Sequence, residues 1–155
     1  YEPSVKILFS GDHLLPTISP HVAQSMENTD PLSDYLKSLE KTEKLDVDVV
    51  LPAHEETFAN HRKRIAQLKD HHEQRLSEIM DVIRNRSLTA YTLASKVHWN
   101  VNYKSWDEYP LFQKYLALGE TVAHLNLLEQ KGLVRKMKVD QIIFYEISGA
   151  ESQIA

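Results

Sequence analysis

Two short stretches carry side chains able to do chemistry, Ser10-Gly11-Asp12-His13 and Leu51-Pro52-Ala53-His54-Glu55. Each follows an apolar run, and each sets a carboxylate or an imidazole beside a residue that interrupts regular structure. Gly11 permits a tight turn that projects Asp12 from a strand end. Pro52 ends strand pairing and lets His54 face a cleft. A carboxylate buried there without a partner is costly, so Asp12 needs one. The 155 residues include no cysteine, which leaves His, Asp and Glu to hold any metal. Carboxylate oxygen and imidazole nitrogen suit Zn²⁺, Mn²⁺ or Fe. The plainer alternatives are a turn aspartate capping backbone amides and a loop histidine satisfied by a carbonyl.

Elements with the right periods must position these two stretches. Val5–Ser10 has four apolar residues in six and is predicted as a strand closed by Gly11. Asp30-Pro31 opens a helix, Asp as N-cap and Pro in the first helical position. Leu32, Tyr35, Leu36 and Leu39 then predict an amphipathic helix over 31–44. Val47, Val49, Val50 and Leu51 form a β-branched run that Pro52 stops. Asp12 and His54 therefore stand at the C-terminal ends of two strands, where α/β folds place their ligand sites.

Beyond Phe58 the pattern becomes helical. Ile65, Leu68, His72, Leu76, Ile79 and Ile83 predict one long helix over roughly 60–85. A short helix follows over 89–97, then the aromatic stretch HWNVNYKSWDEYP. A helix over 111–130 comes next, continuous or broken near Gly119, with Gly132 placed to end it. Runs 133–139 and 142–148 read as a hairpin turning at Asp140-Gln141. Helices followed by a hairpin give the order of a winged-helix domain.

The strand–GD–loop, the helix with PL..YL..SL and the strand–LPAH segment resemble the C-terminal half of metallo-β-lactamase superfamily hydrolases. DHHEQRLSEI and GETVAHLNLLEQKGLV, followed by a hairpin, are similar to the winged-helix tail of its glyoxalase-II-like and lactamase-β-2-like members. The resemblance implies an α+β fold: a C-terminal fragment of the αββα domain over 1–56, a connecting helix over 57–86 and a mainly helical winged-helix domain over 87–150. It also implies a site with two metal ions, zinc foremost. Asp12 would bridge them and His54 would be the last histidine of the second. The activity implied is hydrolysis of an ester or thioester by metal-activated hydroxide.

The family's HxHxDH motif occurs nowhere in residues 1–155. With two of the family's ligands, the chain is expected to be inactive alone and to belong to an active parent, a reading that its abrupt start at Tyr1 also suggests. Where the family usually shows PGHG, this chain has Pro52-Ala53-His54-Glu55, so a negative charge sits beside the site.

Other residues are candidates for the substrate cleft. His13 follows Asp12, and His21 follows Pro20. His71 and Arg75, four apart, share one face of the long helix. An ordinary solvated face with ion pairs is the alternative for that pair, and His72 belongs to the apolar stripe. Trp99, Tyr103, Trp106, Tyr109 and Phe112 are expected to pack a loop onto helices, the alternative being a lid or dimer contact.

Composition excludes other classes. Hydrophobic residues at 42% and charged residues at 26% describe a globular protein rather than a disordered one. No apolar run approaches the roughly 20 residues needed to span a bilayer, and a cytoplasmic location is expected. The net charge of −4 divides unevenly. Residues 1–56 carry 4 Lys and Arg against 11 Asp and Glu; residues 57–155 carry 14 against 11. That excess is too small for the basic stripe of a nucleic-acid binder. Glu120 and Glu129 on the expected third helix oppose phosphate contact, although Arg135, Lys136 and Lys138 make a small basic patch on the hairpin. A winged-helix nucleic-acid module, or a nuclease of the same superfamily, is the rival reading. The expected partners are a small ester or thioester substrate and a second copy of the chain.

Overall fold

The computed structural model describes residues 1–23 and 30–149. Ala150, the last residue of the expected tail domain, lies outside them. The described chain is a mixture of helix and strand in the order β1 (Ile7–Gly11), α1 (Pro31–Glu43), β2 (Val49–Pro52), α2 (His61–Ile83), α3 (Ala90–Ala94), a 3-10 turn at Trp106–Glu108, α4 (Leu111–Gln130), β3 (Val134–Val139) and β4 (Ile142–Ile147). It divides into two compact units. The first takes residues 1–21 and 34–73; the second takes the described residues of 22–33 and those from 74 onward.

In the first unit β1 and β2 pair in parallel, with Ile7 opposite Val49, Leu8 opposite Val50 and Phe9 opposite Leu51. Parallel strands cannot be joined by a tight turn, and the long connection through α1 is the consequence. Leu8 and Val50 face inward and are buried with Leu14, Leu39, Val47, Ile65 and Leu68. β1 starts two residues later than its apolar run suggests. Lys6 adopts φ +52, and Glu2 and Ile7 exchange backbone hydrogen bonds of 2.9 and 3.2 Å, so residues 3–6 form a turn.

Helix α1 begins as its sequence requires. The Asp30 carboxylate accepts a hydrogen bond of 3.2 Å from the Ser33 amide, with Pro31 in the first helical position. At the start of α2 the Asn60 side chain accepts from the Lys63 amide at 3.2 Å.

In the second unit α4 runs unbroken through Gly119, where a Cβ would stand 2.9 Å from the Cβ of Ala23. Thr89 caps α3 by accepting from the Thr92 amide. Gly132, at φ +72, ends α4 in the left-handed conformation that glycine allows. β3 and β4 are antiparallel, with Val139 opposite Ile142 across a two-residue turn. Both turn residues, Asp140 and Gln141, have positive φ, 47° and 68°, as the twist of a two-residue hairpin demands. Leu88 adds one bridge to β4 at Tyr145. Helix α3 packs on α4 and β4, and α4 on β3. Leu93, Leu125, Leu128 and Val134 are among the buried residues. No described helix is long and apolar enough to cross a membrane.

Candidate functional site

The parallel pairing of β1 and β2 sets their C-terminal ends side by side. Gly11 lies opposite Pro52, with a bulge between Phe9 and Gly11. The Ala53 amide donates to the Gly11 carbonyl at 3.0 Å, the last rung of the ladder. Gly11 takes φ +56, which a residue without Cβ adopts freely. The chain then delivers Asp12 and His54 to one place. His54 Nε2 lies 3.4 Å from Asp12 Oδ1, and both side chains are about two-thirds exposed, 67% and 62%. An anionic oxygen and an imidazole nitrogen so close can share a proton, or turn outward together onto one cation. The donor types fit a transition-metal ion. Among the described residues no group of three or more His, Cys, Asp or Glu side chains gathers to complete such a site.

The other candidates are placed differently. His13 is half-buried against α1. Its Nε2 lies 3.3 Å from Ser38 Oγ and 3.5 Å from Thr42 Oγ1, and its ring meets the edge of Tyr35. Burial pushes the His13 imidazole below its ordinary pKa. Tyr35 Oη donates to the His13 carbonyl at 3.1 Å, and burial raises that phenol to about 12. His21 is exposed. His71 lies half-buried, edge-on to the buried His72, in the first unit.

Arg75 belongs to the second unit, and only 8% of it is exposed. Its guanidinium donates to Glu78 and to the His98 carbonyl, lies 3.9 Å from Glu120 and stacks on Trp99 at 4.2 Å from the ring centroid. Burial raises the Glu120 carboxyl, and the Arg75 charge opposes that shift. Arg75 thus closes an internal network rather than standing on an open face.

The aromatic stretch packs on itself and its neighbours in the second unit. Trp99 donates to the Ala94 carbonyl at 2.7 Å, Trp106 meets Tyr91 edge-on, and Tyr109 touches both Trp106 and Tyr103. Phe112 differs, being 66% exposed. On the hairpin, Arg135 pairs with the buried Glu146, which also accepts from Ser87; Lys136 pairs with Glu129 and donates to Asn126. Two of the three hairpin cations are thus matched by carboxylates. His124 on α4 is fully buried, and its Nδ1 lies 2.8 Å from the Glu120 carbonyl.

Two residues near the pair escaped the site reading or had a different part in it. Glu55, read only as an added charge, adopts φ +67 and accepts from the Thr17 hydroxyl, the Thr17 amide at 3.1 Å and the Ile18 amide at 3.4 Å. The Thr17 hydroxyl first, then those amides and the Arg64 charge, hold its carboxyl below the usual range. Arg64 donates to the carbonyls of Leu15, Thr17 and Ile18 at 2.6, 3.0 and 2.8 Å. Nothing local signals this arrangement, because the partners lie tens of residues apart in sequence.

Comparison with known proteins bears on what such a site belongs to. No protein-family model matches the chain. A curated relative, the probable metallo-hydrolase YqjP of Bacillus subtilis strain 168, is 22% identical over 116 residues, 75% of this chain and 34% of its own length. The crystal structure of a β-lactamase domain protein from Burkholderia ambifaria superposes with a TM-score of 0.85 at 34% identity, over 96% of this chain and 43% of that one. The metallo-β-lactamase family protein TTHA1429 of Thermus thermophilus superposes with a TM-score of 0.77 at 28% identity, over 94% of this chain and 44% of that one. The chain therefore spans about a third of the curated relative and less than half of each solved one.

Proposed function

Since the chain belongs to the metallo-β-lactamase superfamily, we propose that it supplies Asp12 and His54 as ligands to the metal centre of a hydrolase acting on an ester or thioester. The observation that carries this reading is the 3.4 Å approach of His54 Nε2 to Asp12 Oδ1 at adjoining strand ends. Asp12 offers anionic oxygen and His54 a neutral imidazole nitrogen, the protonation states that metal ligation requires. A metal ion bound there supplies Lewis-acid activation of water at neutral pH. Zinc is the ion proposed, and a pair of them in the full-length enzyme.

Two protein ligands are fewer than the three that catalytic zinc sites use. We therefore expect this chain alone to bind metal weakly and to leave esters intact. The tail from α3 to β4 is read as a winged helix whose role is structural; pairing of Arg135 and Lys136 with Glu146 and Glu129 argues against nucleic acid as its ligand. A cytoplasmic location and self-association belong to the same proposal.

Calorimetric titration with Zn²⁺, alongside an aryl-ester and thioester hydrolysis assay, tests it. Weak binding that disappears in Asp12→Ala and His54→Ala, without hydrolysis, is the result expected. Tight uptake of two zinc ions by the chain alone, or binding untouched by both substitutions, overturns it.

A further inference from the structure

The exposed pair Asp12 and His54 sits beyond the last rung of the β1–β2 ladder, so the ladder alone does not hold it. Among the described residues, the next hydrogen bonds joining the two strand ends are those of Glu55. Its carboxylate takes the hydroxyl and amide of Thr17 and the amide of Ile18. Arg64, on the first turn of α2, takes the carbonyls of Leu15, Thr17 and Ile18. One short segment is gripped through its donors by an anion and through its acceptors by a cation. The buried Leu14 and Leu15 anchor its near end.

From this juxtaposition we infer that Glu55 and Arg64 form a latch that fixes the loop after Asp12 and so sets the Asp12–His54 separation. Glu55 and Arg64 are positioning residues, and the inference rests on the reading of Asp12 and His54 as metal ligands. The backbone at Glu55 shows what the latch offsets. A glutamate at φ +67 is in a region that glycine enters freely and other residues enter at a cost. The two hydrogen bonds from Thr17 to this charged acceptor, with a longer one from the Ile18 amide, offset it. The Glu55 charge is also taken up by the loop amides and Arg64, so it does not stand bare beside the pair. Ligands held in place before the metal arrives bind it more tightly, because less freedom is lost on binding.

The test uses the full chain and the variants Glu55→Ala, Glu55→Gly, Thr17→Val and Arg64→Met. Amide hydrogen exchange is followed by NMR, and Co²⁺ affinity by calorimetry. In Glu55→Ala, exchange at Thr17 and Ile18 quickens about tenfold to a hundredfold, the equivalent of a lost charge-assisted bond, while β1 amides keep their protection. Glu55→Gly quickens it as well, although glycine relieves the backbone. Thr17→Val and Arg64→Met shift the side-chain resonances of that pair and weaken Co²⁺ binding severalfold.

Unchanged exchange at Thr17 and Ile18 removes the latch. Faster exchange with the Asp12 and His54 resonances unmoved leaves a loop fastening and overturns the positioning role. If the unmodified chain takes up no Co²⁺, the ligand reading fails, while exchange and resonances still decide the latch.

Discussion

His54 Nε2 lies 3.4 Å from Asp12 Oδ1, just beyond the point where Gly11 pairs with Pro52 across parallel strands. Both side chains are mostly exposed, so replacing either by alanine removes a proposed ligand without opening the core. Asp12→Ala and His54→Ala should each lower Zn²⁺ or Co²⁺ affinity by at least about tenfold. Their unfolding free energies should stay within about 0.5 kcal/mol of the parent. Calorimetric metal titration and denaturant unfolding check the two halves of this expectation.

Arg75 should behave in the opposite way. Its guanidinium is enclosed by Glu78, Glu120, the His98 carbonyl and the face of Trp99. Arg75→Leu strands Glu120 in a buried setting and is expected to cost about 3 kcal/mol. Chemical denaturation measures it. A companion Glu120→Gln change should recover part of the loss, because the uncompensated charge is then gone.

Tyr35 makes stability depend on alkaline pH. Burial raises its phenol from 10.0 to about 12, so the folded state keeps the proton over an interval in which the unfolded state has lost it. This contribution is complete below pH 10 and declines as pH rises toward 12. Thermal melts across that range should fall more steeply for the parent than for Tyr35→Phe. The Phe variant starts lower, lacking the bond to the His13 carbonyl.

The hairpin turn offers a stabilising change. Gln141 has φ +68, a conformation that costs a non-glycine residue about 1 kcal/mol. Gln141→Gly should stabilise the protein by a little under that amount, since glycine also loses more entropy on folding. An increase in melting temperature without change in hairpin chemical shifts is the outcome expected.

Gly119 gives a contrasting case on α4. Alanine there gains about 1 kcal/mol of helix propensity, but its Cβ would meet that of Ala23 at 2.9 Å. Overpacking costs about 1–3 kcal/mol, so Gly119→Ala should destabilise by about 1 kcal/mol net. The melting temperature decides the sign.

Much of the fold was legible in local pattern. The Asp30-Pro31 start, the apolar stripe from Ile65 to Ile83, the Gly132 stop and the hairpin about Asp140-Gln141 all depend on near neighbours, whose spacing is written in the chain. The apolar runs that Gly11 and Pro52 stop also located Asp12 and His54 at strand ends, and the superfamily resemblance implied their role. Their 3.4 Å approach was a further matter, because strand pairing joins residues far apart in the chain and no local rule sets its register.

What only the tertiary structure decided follows the same division. Residue types and periods determined the elements and the donor chemistry available, since hydrogen-bonding capacity and helical or strand period belong to each short stretch. Whether a charged side chain faces solvent or is enclosed depends on distant partners. Arg75 looked like half of an open face with His71 and is instead enclosed beneath Trp99. Glu55 looked like a bare charge and is bonded to Thr17 and Ile18, with Arg64 gripping the same loop. Electrostatic partners act through space, and the distances that decide them exist only once the chain has folded.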